Sequence, residues 1–200
     1  AEGYRNFCNK LWNATNFVLM NVEDKDCGQD ETQPLAYTFV DQWIIGRLQQ
    51  TEAATAEAFD TYRFDLAAQT LYEFVWNDFC DWYIELAKAR LYDAENQRPR
   101  QTAQYVLAYV LERTLRLLHP FMPFITEEIW QHIPHKGKSV MTACWPAGEE
   151  AKVNDAAEAH MTTIMETIKS VRNMRVQVNA APSKKSEVIL QIADEQIAAV

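Results

Sequence analysis

The sequence predicts a mainly α protein: a bundle of about five long helices followed by the start of a small mixed α/β appendage. Three observations carry this prediction. Apolar side chains recur at three- and four-residue spacing through most of the 200 residues, the period of a helix with one buried face. Strict alternation, the mark of a half-buried strand, shows in the tail, where "SEVILQIA" over 186–193 alternates Val188, Leu190 and Ile192. Prolines and polar breaks punctuate the periodic stretches where one helix gives way to the next.

The elements follow in order. Residues 3–20 place Tyr4, Phe7, Cys8, Leu11, Thr15, Val18 and Leu19 on one stripe. The acidic, glycine-containing stretch 23–34 is expected to be a loop, closed by Pro34 at the next helix start. The stripe returns over 35–58 in Ala36, Phe39, Val40, Trp43, Ile44 and Leu48, and over 64–91 in Ala67, Ala68, Leu71, Val75, Phe79, Trp82 and Leu86. After the break "DAENQRPR", residues 100–118 carry Ala103, Val106, Leu107, Val110, Leu111 and Leu118. A shorter helix is predicted from Pro123 to Ile133. A sixth, capped by Asn154, runs to Val178 with Met161, Ile164, Met165, Ile168 and Val171 inward. This divides the chain into a bundle over 1–135, a linker over 136–154 with a short extended segment at Ser139–Cys144, and a truncated appendage over 155–200.

Between the fourth and fifth helices lies "LLHPFMPFITEEIW". Pro120 lacks an N–H and disfavours helical geometry at His119, so the fourth helix stops there. Pro123 suits the first position of a new helix, and Glu127 and Glu128 complement its positive end. A sharp corner follows, with Phe121, Met122 and Phe124 expected to plug the end of the bundle.

Composition excludes several classes. Hydrophobic residues make up 48% and charged residues 24%, ordinary for a globular domain. No apolar run approaches the roughly 18 residues of a membrane span. No leader precedes "AEGYRNF", and "DEQIAAV" ends inside a helical pattern, so a piece of a longer cytoplasmic polypeptide is expected. Cys8, Cys27, Cys80 and Cys144 are scattered without a CxxC, which fits reduced thiols better than a metal or disulfide framework. Five scattered glycines form no phosphate-cradling loop, and no serine stands in a nucleophile-elbow setting. His132, His135 and Cys144 lack a fourth metal ligand, and Pro134 interrupts the H-x-x-H. No catalytic residue, metal or cofactor is expected within these residues.

The formal net charge is −9, which argues against a general nucleic-acid or membrane binder. Its distribution is uneven. Acids concentrate in 23–31 and 149–158, whereas Lys169, Arg172, Arg175, Lys184 and Lys185 form a run without acids. Lys136 and Lys138 lie beside His132 and His135, and Lys88, Arg90, Arg98 and Arg100 form another basic cluster.

Four stretches carry a resemblance that composition does not. "YRNFCNKLWNATNFVLMN", "YEFVWNDFCDWYIELAK", "RLLHPFMPFITEEIWQ" and "VRNMRVQVNAAPSKK" together resemble the anticodon-binding domain of class I aminoacyl-tRNA synthetases, in order and over essentially the whole chain. The corner motif is similar to one shared by the isoleucyl, leucyl and valyl group. The last stretch is similar to the bacterial valyl type. Two positions depart from the pattern: Gln42 stands where the family has Arg, and Gln177 where it favours Glu.

The resemblance implies a helix-bundle domain that recognises the anticodon arm of tRNA(Val). Catalytic and editing domains and a coiled-coil arm would lie elsewhere in a monomeric, cytoplasmic valine–tRNA ligase using ATP and Mg. An isoleucyl or leucyl enzyme, or a helical protein-interaction module without RNA, are the alternatives. Loop bases are read by stacking and edge hydrogen bonds while cations hold the backbone. The RNA-binding candidates are therefore Arg47, Arg63, Phe64, Lys88, Arg90, Arg98 and Arg100, with Phe64 also suited to the core. Trp12, Trp82 and Trp130 are expected in the core or at an interface.

Overall fold

The computed structural model describes residues 2–22, 34–181, 185 and 187–189. The acidic stretch 23–33 lies outside the described residues, as does most of the strand expected over 186–193. In chain order the helices are α1 (Glu2–Val22), α2 (Phe39–Asp60), α3 (Phe64–Glu73), α4 (Ile84–Leu91), α5 (Gln97–Leu118), α6 (Pro123–Trp130) and α7 (Asp155–Gln177). A π-helical segment, Phe74–Tyr83, joins α3 to α4 without a break. No strand occurs among the described residues.

The chain divides into two compact units, Ala1–Val153 and Asn154–Val200. In the first, α2 packs against α3, the π segment and α5, α1 packs against α5 and the π segment, and α6 closes on α5. Its centre is mostly apolar: Leu11, Ile44, Leu48, Leu71, Phe74, Phe79, Tyr83, Leu107, Leu111, Leu115 and Trp130 are fully buried. In the second unit Asn154 caps α7, its Oδ1 accepting from the Ala157 N–H at 3.0 Å, and Ala157 and Met161 are buried.

Most of the predicted stripes are the buried ones, but Ala36 and Ala68, expected inward, are exposed, and two shifts stand out. Tyr4 is exposed, and the inward face of α1 begins at Phe7. From the π segment onward the face moves by one residue: Leu86 is only half-buried, whereas Tyr83, Ala87 and Leu91 are buried. A π turn holds more residues than an α turn, so it advances the register by that amount. Constant helical spacing had placed Leu86 inward.

Two buried ion pairs cross the bundle. Asp41 completes the capping box of α2, its Oδ2 accepting from the Thr38 N–H at 2.9 Å. The same carboxylate accepts from Arg90 Nη1 and Nη2 at 2.6 and 2.8 Å and from the Tyr83 hydroxyl at 2.7 Å. Burial pulls the Arg90 guanidinium down, yet its bonds to Asp41 outweigh this and hold its pKa above the ordinary arginine value. Glu52, fully buried, takes a second fork from Arg113 at 2.5 and 2.7 Å.

The chain turns sharply at Pro120 and Pro123, and Pro123 occupies the first turn of α6. The rings do not plug the bundle as expected. Phe124 is almost wholly exposed and Phe121 partly so, while Leu118, Ile129 and Trp130 fill the interior. The buried face of α6 runs through Thr126, Ile129 and Trp130, at spacings of three and four, and Phe124 falls off that stripe.

Residues 139–153 also differ from the expected linker. Ser139–Cys144 is not extended: Val140–Thr142 forms a 3-10 turn capped by the Ser139 hydroxyl. Glu127 holds it by accepting from Ser139 Oγ at 2.8 Å and the Val140 N–H at 3.1 Å. Further on, Gly148 presses against α2 so closely that a Cβ there would meet the Gln49 carbonyl oxygen at 2.6 Å.

Candidate nucleic-acid interface

The seven candidates do not form one site. Lys88 and Arg90 close α4 and Arg98 and Arg100 open α5, so these four share one end of the bundle. The same end holds the close of α1 and the approach to α2. There Gln104 Nε2 donates to the Asn21 carbonyl at 2.7 Å and the Ala36 N–H to Thr102 Oγ1 at 2.9 Å. Arg63 and Phe64 follow the far end of α2, which runs about 28 Å from Asp41 to Asp60 at the helical rise of 1.5 Å per residue. Arg47 lies between them.

The partners of each cation decide what it can still hold. Arg90 is largely buried, with both ends of its guanidinium forked onto Asp41. Arg63 is forked onto Asp65 at 2.9 and 2.8 Å, and these bonds hold the Asp65 carboxyl down at about 2. Arg47 donates to Asp78 Oδ2 at 3.0 Å and Gln50 Oε1 at 3.0 Å. Burial pushes the Asp78 carboxyl up, with Arg47 offsetting part of the rise. Lys88 pairs with Glu85 at 2.6 Å and lies 5.6 Å from the centre of the Phe17 ring. Phe64, expected in the core rather than in the site, is about half exposed.

Arg98 and Arg100 differ from the others. Asn96 makes no side-chain cap on α5, and no acid stands in the first turn. Two arginines instead sit at the positive end of the helix, where cations are disfavoured. Arg98 donates Nε to the Pro34 carbonyl at 2.9 Å and Nη1 to Gln101 Oε1 at 3.2 Å. Its Nη2, and Nε of Arg100, are buried and donate to no partner among the described residues. A buried donor left unpaired costs about 1–3 kcal/mol, more when charged, so this turn is electrostatically incomplete. An anion set against it would accept from both guanidinium groups and face the helix dipole.

Tyr92 is an exposed ring at this end that the sequence reading did not single out. It caps α4 between Lys88 and Arg98, with its ring exposed. The turn after it is fixed by Asp93, whose carboxylate accepts from the Glu95 and Asn96 backbone N–H groups and from Asn96 Nδ2. The signal was an aromatic residue in a polar break, off every apolar stripe.

Among the described residues no helix is long and apolar enough to cross a membrane, and no three His, Cys, Asp or Glu side chains gather to hold a metal. Cationic donors without a partner among the described residues, at one end of a helix bundle, suit an anionic partner. The chain belongs to the family described as "Anticodon-binding domain of tRNA ligase", which matches residues 41–190.

Individual relatives agree. A valine–tRNA ligase from Chromobacterium violaceum is 53% identical over 99% of this chain and 22% of its own length. One from Laribacter hongkongensis is 55% identical over 96% of this chain and 21% of its own. The chain therefore spans about a fifth of the length of these relatives. LeuRS from Agrobacterium radiobacter K84, solved in a ternary complex with tRNA and LeuAMS, superposes with a TM-score of 0.55. It is 20% identical, covering 76% of this chain and 17% of LeuRS, and shows the shared fold.

Proposed function

We propose that the end of the bundle formed by α4 and α5 receives the anticodon arm of tRNA(Val), and that the parent polypeptide is a valine–tRNA ligase. One observation carries the location: two guanidinium groups whose buried nitrogens meet no acceptor among the described residues, at a helix start without a side-chain cap. Arg98 and Arg100 hold backbone phosphate, Lys88 adds charge at the rim, and Tyr92 offers a ring to an unstacked base. Arg47, Arg63 and Phe64 lie away from this end and are secondary candidates. The valyl reading rests on relatives about half identical over nearly the whole chain and on "VRNMRVQVNAAPSKK". Activation of valine with ATP and Mg, and editing, belong to the parts of the parent outside these residues, and the parent acts as a cytoplasmic monomer.

The test is a set of binding isotherms for the full-length enzyme with tRNA transcripts differing only in the anticodon, at several salt concentrations. Preference for valine anticodons is expected. Each phosphate contact contributes about 0.7 to the salt slope on single strands, so Arg98→Gln with Arg100→Gln flattens the slope by about 1.4. An unchanged slope removes this turn from the site and points to Arg47 and Arg63. No binding even at low salt favours a protein-interaction module.

A further inference from the structure

We infer that the cleft between α5 and residues 134–144 is a second binding site, for a phosphate monoester that carries a flat ring, as a nucleoside 5′-monophosphate does. It opens along α5 from Tyr105 onward, beyond the turn of Arg98 and Arg100. The cleft encloses about 850 Å³, within the roughly 300–1,000 Å³ of small-molecule sites. One wall is α5, where Tyr105, Tyr109, Glu112 and Arg116 recur at spacings of three and four and so share one face. The two tyrosine rings are nearly parallel, with centroids 6.1 Å apart. Arg113 and Lys152 stand against the Tyr109 ring, 5.4 and 5.8 Å from its centre. Tyr105 carries no such cation among the described residues and is the ring left for a ligand.

The facing wall is fixed by Trp130, which is fully buried. The His135 ring stacks on it with centroids 3.8 Å apart, and His135 Nδ1 donates to the Ile133 carbonyl at 2.8 Å. Gly137 takes φ 104°, a conformation that glycine adopts freely and other residues rarely do. It lies close over the indole, where a Cβ would sit 3.7 Å from Trp130 Cη2. The turn it makes sets Lys136 at the rim of the cleft.

Charge selects the ligand. The one acid lining the cleft is already engaged: Glu112 accepts from Arg116 Nη2 at 2.5 Å and, through its other oxygen, from Trp130 Nε1 at 3.3 Å. It has little left for a cation. Lys136 is exposed and makes no ion pair among the described residues. Arg116 donates Nη1 to the Cys144 carbonyl at 3.1 Å, and its Nε meets no acceptor among the described residues. A phosphate monoester carries a charge of about −1.5 to −2 near neutral pH, which an ammonium and a guanidinium together balance better than a carboxylate does. A free amino acid would bring its own ammonium against these cations. The Tyr105 ring then stacks a base, a contact open to any base because each has a π-face.

Cys144 lines the cleft with an exposed thiol and reports its occupancy. The experiment follows alkylation of Cys144 by iodoacetamide in the full-length protein, resolved by peptide mass spectrometry. The probe is uridine 5′-monophosphate, which the proposed ligase reaction does not consume. Half-protection is expected below about 1 mM. Uridine alone and inorganic phosphate alone are expected to protect about tenfold more weakly, and equal protection by either overturns a site that needs both ring and phosphate. Lys136→Gln is expected to raise the half-protecting concentration about tenfold and Tyr105→Leu at least about fivefold, each measured against the variant's own unliganded rate. No protection by the probe, a Cys144 that is unreactive without it, or protection unchanged in both variants overturns the inference. A tRNA transcript tests the other source of a nucleotide. Protection by the probe that persists at saturating transcript supports a free ligand, whereas displacement by the transcript overturns it and assigns the cleft to the strand. The anticodon isotherms stand apart: their failure counts against the tRNA reading and leaves the Cys144 result intact.

Discussion

Arg90→Leu is expected to loosen the whole α4–α5 end of the bundle. Asp41 is fully buried and accepts five hydrogen bonds: from the Thr38 N–H and Oγ1, from the Tyr83 hydroxyl, and two from Arg90. The variant removes two donors and the cation that balances the carboxylate. Breaking one partner of a buried pair costs about 3–5 kcal/mol, and the three neutral donors that remain place this case near 3 kcal/mol. That corresponds to about a 150-fold increase in local opening. Native-state hydrogen exchange in the full-length protein reads it directly, at the amides of the second turn of α2 and of α4. Adding Asp41→Leu removes the stranded charge. It leaves the Thr38 and Tyr83 donors without an acceptor, so the double variant is expected to lose about 2 kcal/mol, less than Arg90→Leu alone. Unchanged protection in Arg90→Leu, or a double variant worse than the sum of its parts, would refute this account of the pair.

Gly148→Ala is expected to cost about 1–3 kcal/mol, because its Cβ meets the α2 backbone and no flexible side chain can yield; equilibrium denaturation reads the loss. Alkaline pH gives another test. Burial pushes the Cys80 thiol up to about 12 and the Tyr83 hydroxyl well above its ordinary value, the nearby Asp41 charge adding to the latter. Both groups hold their protons more tightly when folded, so their contribution is complete below the ordinary thiol and phenol values and is lost as pH rises through the raised ones. Stability is therefore expected to fall with pH above about 9. Tyr83→Phe should flatten the part of this fall above about 10, while lowering stability at neutral pH by about 1.5–3 kcal/mol through the lost bond to a buried carboxylate. Unfolding midpoints measured across that pH range check both effects.

Much of the fold was legible because helix signals are local. The stripe through Leu11 and Val18, the break at Pro120 and the cap at Asn154 each follow from a few neighbouring residues. The misplaced side chains share a different cause. Leu86 was read as inward because a constant period cannot anticipate the π segment before it. Phe124 was read as a plug because a large ring beside two prolines looks like packing, and only the orientation of α6 turns it outward.

The sequence by itself determined the succession of helices, the corner and the resemblance to a synthetase domain. It also narrowed the cations to a few clusters. Only the tertiary structure decided which of those cations remain available. Arg90 meets Asp41 across 49 positions and Arg47 meets Asp78 across 31, whereas Arg98 and Arg100 come to rest at a helix start with donors that meet no acceptor among the described residues. Periodicity is written within one or two turns of chain. The partner of a charge is set by which distant segments the core brings together, and a linear sequence carries no distance between them.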